Sequence, residues 1–147
     1  MIEYKSGFRH QLHKDVSTQT AIYPDIAIIT DLIELYPDGC LVCKKNYAWD
    51  GPSGPCRVIA DRLPGWAQRM YLKKILPGSL VHDALFELMR MKLLPGKWFH
   101  QANKEFRRVN IECKMLRPRV WWTFKTVDKL GSFAANPKNR RPILTAP

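Results

Sequence analysis

Clusters of glycine and proline interrupt the 147-residue chain repeatedly. Four of them are Pro37-Asp38-Gly39, the loop Asp50–Pro55, Pro77-Gly78 and Pro95-Gly96. Proline fixes its own φ and has no backbone N–H to donate, while glycine adopts left-handed conformations easily, so such clusters tend to end helices and strands. We therefore expect each helix and strand to lie between these clusters.

The segment before the loop has the pattern of a β-hairpin. β-Branched and apolar residues from Ile26 to Leu35 form one arm, and Leu41 to Lys44 form the other. Pro37-Asp38-Gly39 between them supplies the turn, because proline presets φ and Asp and Gly tolerate left-handed positions. Residues 1–20 are predicted to form an extended N-terminal arm.

Apolar residues at helical spacing predict two helices on either side of Pro77-Gly78. The first runs from Gly65 to Leu76 and ends at this pair. Ser79 is then a suitable N-cap for the second, from Leu80 to about Leu93, since its hydroxyl can accept from a free backbone N–H.

A third helix is predicted from about Lys97 to Met115, with Asn103 on the same face as its apolar residues. Because only a short connection separates it from the second helix, the two should lie antiparallel and pack together. A last helix follows Pro118, and Gly131 is its predicted C-cap.

These segments predict an α-rich α+β fold: an N-terminal β-hairpin followed by three to four helices that include an antiparallel pair. Residues 1–135 are predicted to form a single domain, because a chain of this length is typical of one domain. Residues 136–147 are basic and proline-rich and are predicted to form a C-terminal arm.

Positive charge is concentrated in the second part of the chain. The net charge is +11, but residues 1–50 hold 5 Lys/Arg against 7 Asp/Glu, whereas residues 51–147 hold 19 against 6. Such asymmetry favours an anionic partner: a membrane surface, a nucleic acid or an acidic protein. The alternative is an ordinary solvated basic surface.

The sequence has no stretch of roughly 18 apolar residues, so we expect no transmembrane helix. The polar N-terminus predicts no secretion signal, and the four cysteines are therefore expected to be reduced thiols. Cys40-Leu-Val-Cys43 has metal-like spacing, but it lies in an apparent strand and no second ligand pair follows, so we expect no zinc.

Four residues could carry chemistry: His82, Asp83, Asn103 and Asp50. His82 and Asp83 are neighbours on a helix and point about 100° apart, so they can serve two purposes. His82 can face the partner helix, with one ring nitrogen anchored there and the other serving as a general base. Asp83 can turn toward the loop at Asp50, and loop carbonyls together with two carboxylates suit Ca²⁺. The alternative is a simple turn followed by a well-packed helix.

Two blocks of sequence resemble secreted phospholipases of the A2 type. "WDGPS" (Trp49 to Ser53) is similar to the W-D-G-C-S loop of that family, and "HDALF" (His82 to Phe86) to its C-x-x-H-D-x-x-Y helix. Asn103 stands 21 residues after His82, where the antiparallel helix of the family presents an Asp. This resemblance covers only the loop and the two helices.

A longer stretch, roughly Ile26 to Cys113, resembles a family of small tailed-phage and prophage proteins. Those proteins share a hairpin, an aromatic-D-G-x-S-x-P loop, H-D-x-L-Y and a later A-D-x-x-F, here "ANKEF" (Ala102 to Phe106). The resemblance implies a phage origin and a place in the bacterial host cytoplasm or the virion.

The phospholipase resemblance implies a role for each candidate residue. His82 would deprotonate a water that attacks a lipid ester, and Asn103 would orient His82. Asp50, Asp83 and the carbonyl of Gly51 would hold Ca²⁺, which would polarise the ester carbonyl.

The chain departs from the phospholipase pattern at four positions. The family's paired cysteines are replaced by Pro52 and Ser79, and Phe86 lacks the usual hydroxyl. Asn103 replaces the Asp, so the charge that would stabilise a protonated His82 is missing. An amide can also turn its NH₂ toward the imidazole and favour the wrong tautomer, and a comparable loss in triad chemistry costs about 10⁴ in kcat.

These departures favour a non-catalytic binding protein or virion structural component on a phospholipase A2-like scaffold, with other virion proteins as partners. The alternative is a Ca²⁺-dependent phospholipid ester hydrolase at anionic membranes, and a nucleic-acid-binding basic protein is third. The residues predicted to contact a membrane or another anionic partner are Lys73, Lys74, Arg117, Arg119, Arg140 and Arg141.

Overall fold

The computed structural model describes residues 2–4, 8–52, 55–139 and 144–146. The strands are β1 (Ile2–Tyr4), β2 (His10–Gln11), β3 (Val16–Gln19), β4 (Ile28–Ile29), β5 (Ile33–Leu35), β6 (Cys40–Cys43), β7 (Ala48–Trp49) and β8 (Leu144–Ala146). The α-helices are α1 (Pro55–Arg62), α2 (Gly65–Arg90), α3 (Phe99–Glu112) and α4 (Arg117–Ala134), with 3₁₀ helices at Gly96–Trp98 and Pro137–Asn139. The predicted helix-rich α+β class, with strands first and helices after them, is confirmed.

The turn at residues 37–39 connects β5 and β6 as predicted. Gly39 adopts φ +87°, and its N–H donates to the Tyr36 carbonyl at 2.9 Å. A side chain at Gly39 would collide with the Thr20 carbonyl oxygen, so this position requires glycine for both its conformation and its space.

The first arm of the predicted hairpin is two strands instead of one. β4 and β5 pair with each other antiparallel, with a turn between them. The hydroxyl of Thr30 makes this turn, because it donates to the Ile33 carbonyl at 2.8 Å and accepts from the Ile33 N–H at 2.9 Å. The side-chain hydroxyl thus closes a local turn that the β-branched pattern does not indicate.

The N-terminal residues take part in strand pairing. β3 pairs with β6, so the main sheet has four antiparallel strands in the order β3-β6-β5-β4. β2 pairs with β7 beside the loop, and β1 pairs with β8, which lies in the predicted C-terminal arm. Residues 1–20, predicted as an extended arm, are thus extended in β2 and β3. These two strands do not project from the domain, because they pair with β7 and β6.

The main core lies between the four-stranded sheet and the pair α2 and α3. Leu35 and Leu41 from the sheet and Leu85 and Leu88 from α2 are almost completely buried in it. Burial of side chains of this size stabilises the fold by about 1.5–3 kcal/mol each. A smaller second cluster joins α1, the first half of α2 and the start of α4, and includes Tyr71.

A buried carboxylate fastens α3 to the sheet segment. Glu105 is 2% exposed, and its Oε1 accepts from the Ala21 N–H at 3.1 Å. Arg108 donates to Oε2 of Glu105 at 2.8 Å and to the Gln19 carbonyl at 2.7 Å. The charge of Glu105 is thus paired and hydrogen-bonded, as a buried carboxylate requires.

α2 is one continuous helix, so the predicted break at Pro77-Gly78 and the predicted N-cap role of Ser79 are wrong. Pro77 lies inside the helix, and the Ser79 hydroxyl donates to the Leu76 carbonyl at 2.9 Å. Pro77 removes one helical hydrogen bond and its ring crowds the carbonyl one turn earlier, at a cost of about 3 kcal/mol. Gly78 brings the backbone against Asn110 of α3, and this tertiary contact favours continuing the helix through both residues.

The other helix boundaries also differ from the sequence pattern. α1 was not predicted, since it follows directly from the loop. The helix predicted over Lys97–Met115 begins with the 3₁₀ turn Gly96–Trp98 and is α-helical only over α3. After α3 ends, Lys114 adopts a left-handed conformation with φ +57°. α4 continues past Gly131 to Ala134, so the predicted C-cap is wrong: one glycine inside a helix costs only about 1 kcal/mol.

Candidate functional site

α2 and α3 lie antiparallel, as predicted, and their contact forms the candidate site. Gly78 packs against Asn110, His82 contacts Asn103, and the ring centroids of Phe86 and Phe99 are 5.6 Å apart. Residue numbers rise along α2 as they fall along α3. The contact brings the predicted pair, His82 and Asn103, together.

His82 is anchored through one ring nitrogen. Its Nε2 lies 3.0 Å from Oδ1 of Asn103, and its side chain is 12% exposed. The ring packs against Phe86 and Phe106, with centroid distances of 3.9 and 5.5 Å. Because an amide oxygen only accepts, this contact requires a proton on Nε2 of neutral His82 and leaves the lone pair on Nδ1.

Asp128 of α4 completes the surroundings of Asn103. The amide Nδ2 of Asn103, which is fully buried, donates to Oδ1 of Asp128 at 3.1 Å. His100 Nδ1 lies 3.2 Å from the same oxygen. Partial burial raises the pKa of Asp128, but the hydrogen bonds from His100 and Asn103 outweigh it, and the net result is a pKa below the usual value.

Asp128 was missed by the sequence analysis. It is the only acidic residue between Arg117 and Ala134, among aromatic and basic side chains. That isolation is the signal that could have drawn attention to it.

Asp83 lies on the Nδ1 side of His82. Its Oδ1 is 3.6 Å from Nδ1, which is too long for a hydrogen bond, and its side chain is 28% exposed. Burial raises the pKa of Tyr47 well above its usual value, and the nearby Asp83 carboxylate adds to this effect. Nδ1 of His82 thus faces the partly exposed carboxylate of Asp83 and makes no hydrogen bond to it.

A hydrogen bond joins the loop strand to α2 near the positions where the phospholipase pattern has cysteines. Trp49 Nε1 donates to the Ser79 hydroxyl at 3.2 Å, and this hydroxyl in turn donates to the Leu76 carbonyl. All four cysteines are free thiols, and burial raises the pKa of Cys43 to about 12. Cys40 and Cys43 are three residues apart on β6, so they point to opposite faces of the sheet.

Gly51 packs against the ring of His10, and Asp50 acts on that ring electrostatically. Gly51 is buried at φ +75°, and a side chain there would lie 2.8 Å from Cδ2 of His10. Burial and Arg9 lower the pKa of His10, while the Asp50 carboxylate opposes them. The loop is thus packed between β2 and α2, and Asp50 acts electrostatically on His10.

The predicted calcium ligands are two carboxylates and one backbone oxygen. Within residues 8–52 and 56–129, no three His, Cys, Asp or Glu side chains are grouped so that they could hold a metal ion. Such a group is not what the resemblance implies, because Gly51 would contribute its carbonyl. An all-oxygen donor set fits a hard cation, and solvent and substrate oxygens would complete the roughly six to eight ligands of Ca²⁺.

The predicted anionic-partner residues lie on α2 and at the start of α4. Lys73, Arg117 and Arg119 are exposed, and the Arg119 guanidinium lies 5.1 Å from the centroid of the Tyr71 ring. Lys74 is half-buried. Arg140 and Arg141 lie outside the described residues. In the described part of the chain, no helix is long and apolar enough to cross a membrane.

Comparison with protein-family models, curated proteins and solved structures finds no match for this chain. Its function must therefore be argued from the geometry around His82.

Proposed function

We propose that this chain is a phage-encoded phospholipid ester hydrolase on a phospholipase A2-like scaffold, with His82 as the general base. The observation that carries the proposal is the 3.0 Å contact between His82 Nε2 and Asn103 Oδ1. It assigns the proton to Nε2 and leaves Nδ1 able to accept one. An imidazole fixed in this way keeps Nδ1 as a proton acceptor beside a partly exposed carboxylate, and this supports a role as general base.

In the proposed reaction, His82 Nδ1 removes a proton from a water molecule whose oxygen attacks the ester carbonyl carbon. The new C–O bond gives a tetrahedral intermediate, and the bond to the alcohol oxygen then breaks. The protonated His82 returns its proton from Nδ1 to that leaving oxygen, so the products are a fatty acid and a lysophospholipid. Throughout, Nε2 keeps its hydrogen bond to Asn103, which prevents the ring from turning.

Calcium belongs to this proposal as an electrophile. Asp83, Asp50 and the Gly51 carbonyl would hold the ion, and when bound it would polarise the ester carbonyl. The proton transfers assigned to His82 do not depend on how the ion is held.

The test is fatty-acid release from phosphatidylglycerol vesicles, titrated in the presence of calcium and again with excess chelator. We expect release above that of protein-free vesicles with calcium, and its loss with chelator. No release above the protein-free vesicles with calcium would contradict the hydrolase function. Equal release in both solutions would contradict the calcium site but would leave the general base in place.

A second candidate is a binding role without catalysis, as a virion component or at an anionic surface. The observation in its favour is the exposure of large apolar side chains on α2 and α4. Trp66 is 69% exposed and Trp121 is 58% exposed, and Lys73 and Arg119 lie on the same two helices. Tryptophan beside basic side chains is the composition that binds anionic membrane interfaces.

Replacing both Trp66 and Trp121 by Glu should weaken co-sedimentation with phosphatidylglycerol vesicles by at least about tenfold, since each indole would bury apolar area on docking. Ile29→Glu is the control, because Ile29 is 63% exposed and belongs to β4 and not to either of these helices. Equal loss in the control would argue against a specific surface. If the wild type does not sediment with the vesicles, membrane docking is contradicted, and finding the protein in purified phage particles would support the virion role.

A further inference from the structure

We propose that Asp128 is a positioning residue for His82: by accepting a hydrogen bond from Asn103, it selects which nitrogen of the imidazole carries the proton. The catalytic consequence rests on the proposed hydrolase function. The positioning itself rests on two contacts of Asn103, with His82 of α2 and with Asp128 of α4, and on the contact of His100 with Asp128.

The side chain of Asn103 could in principle be placed in two ways. Its oxygen accepts and its NH₂ donates, and the two ends have nearly the same shape. With the oxygen toward His82, Nε2 carries the proton and Nδ1 is the base. With the NH₂ toward His82, Nε2 becomes the acceptor, the proton moves to Nδ1, and the ring can no longer take a proton from a water on the Asp83 side.

Asp128 decides between these two orientations. An ionised carboxylate only accepts, so the 3.1 Å contact with Asp128 Oδ1 requires the NH₂ of Asn103 on that side. Asn103 is completely buried, so turning the amide over would leave its oxygen against a carboxylate oxygen without water to separate them. His100, whose side chain is 74% exposed, donates to the same oxygen of Asp128.

Asp128 also brings back the negative charge that is absent at position 103. The arrangement runs from His82 through the Asn103 amide to the Asp128 carboxylate, with successive distances of 3.0 and 3.1 Å. A negative charge at this position favours the protonated imidazole formed during the reaction. The Asn103 amide thus lies between the imidazole of His82 and a carboxylate, and α4 supplies that carboxylate as Asp128.

This arrangement predicts that Asn103→Asp alone is harmful. It would place two carboxylates about 3 Å apart, and such a pair shares one proton because both cannot ionise. Asn103→Asp combined with Asp128→Asn exchanges the two groups. The carboxylate then accepts directly from His82 Nε2, and the new amide donates to the carboxylate.

The test compares Asp128→Ala, the exchanged double variant and Lys129→Ala, an exposed neighbour on α4, as the control. Nitrogen-15 NMR gives the fraction of His82 with its proton on Nε2, and fatty-acid release from phosphatidylglycerol vesicles gives kcat. We expect Asp128→Ala to mix the two tautomers and to lower kcat by about 10–100-fold, as misorientation of a catalytic group does. The double variant should keep the proton on Nε2 and retain activity, and the control should match the wild type.

An unchanged tautomer in Asp128→Ala would overturn the inference. It would also be overturned if the exchanged variant were as disturbed as Asp128→Ala, because loss of helix packing would then explain both. If the wild type releases no fatty acid, the hydrolase function fails. The NMR comparison still decides the role of Asp128 in that case, since it needs no activity.

Discussion

Replacing His82 by Gln is expected to lower fatty-acid release from phosphatidylglycerol vesicles by about 10²–10⁴-fold, the usual contribution of general acid–base catalysis. Gln is close in size to His and can still donate a hydrogen bond to Asn103, so the antiparallel contact between α2 and α3 should persist. Its amide cannot take up a proton at neutral pH. The measurement is the initial rate of release at equal concentrations of folded protein.

His13→Gln is the matched control for this change. His13 is exposed in the N-terminal segment, outside the contacts around His82. It should keep the wild-type rate. If the His82 variant retains the wild-type rate while its unfolding transition is also unchanged, the ring is not the base and the proposed mechanism fails.

The second large effect is expected at Gly78. Gly78→Ala should lower the free energy of unfolding by about 3 kcal/mol, at the upper end for overpacking. A methyl group there would overlap the Asn110 amide and lie 3.1 Å from the Phe106 carbonyl oxygen. Neither atom is the end of a long flexible chain, so α2 and α3 would have to move apart. The free energy is measured by urea unfolding.

Asn110→Ala provides the rescue. Asn110 is completely buried, and among the described residues neither polar atom of its amide has a hydrogen-bond partner. Combining Asn110→Ala with Gly78→Ala should recover most of the lost stability, because the methyl group gains the space that the amide occupied. Gly65→Ala is the control, since nothing lies within 4 Å of a side chain at that position. A Gly78 variant as stable as the Gly65 variant would mean that the close helix contact does not exist.

Proline and glycine predict a break in the chain at both Pro37–Gly39 and Pro77-Gly78. The predicted turn at the first is correct, and the predicted end of a helix at the second is wrong. The first is a local turn, stabilised by a hydrogen bond between residues 36 and 39, so neighbouring residues suffice to predict it. At the second, glycine is needed because Asn110 lies against it. That contact spans more than 30 residues, and a local pattern cannot show whether glycine ends a helix or lets another helix approach.

The candidate site divides in the same way. The short connection predicted that the two helices lie antiparallel, and the resemblance to the phospholipase A2 motif indicated that His82 and Asn103 are the residues that meet. Asp128 could not be predicted, since its place depends on how α4 packs across α3. The bond from Trp49 to Ser79 could not be predicted either: it joins the loop strand to α2 by a side-chain contact that has no spacing rule.

The most direct test of this account is to find which nitrogen of His82 carries the proton in the wild-type protein. Nitrogen-15 NMR of the neutral imidazole distinguishes the two tautomers without substrate or calcium. The account predicts a proton on Nε2, bonded to Asn103, and an unprotonated Nδ1 toward Asp83. A proton on Nδ1 would contradict it, because His82 could not then serve as the general base.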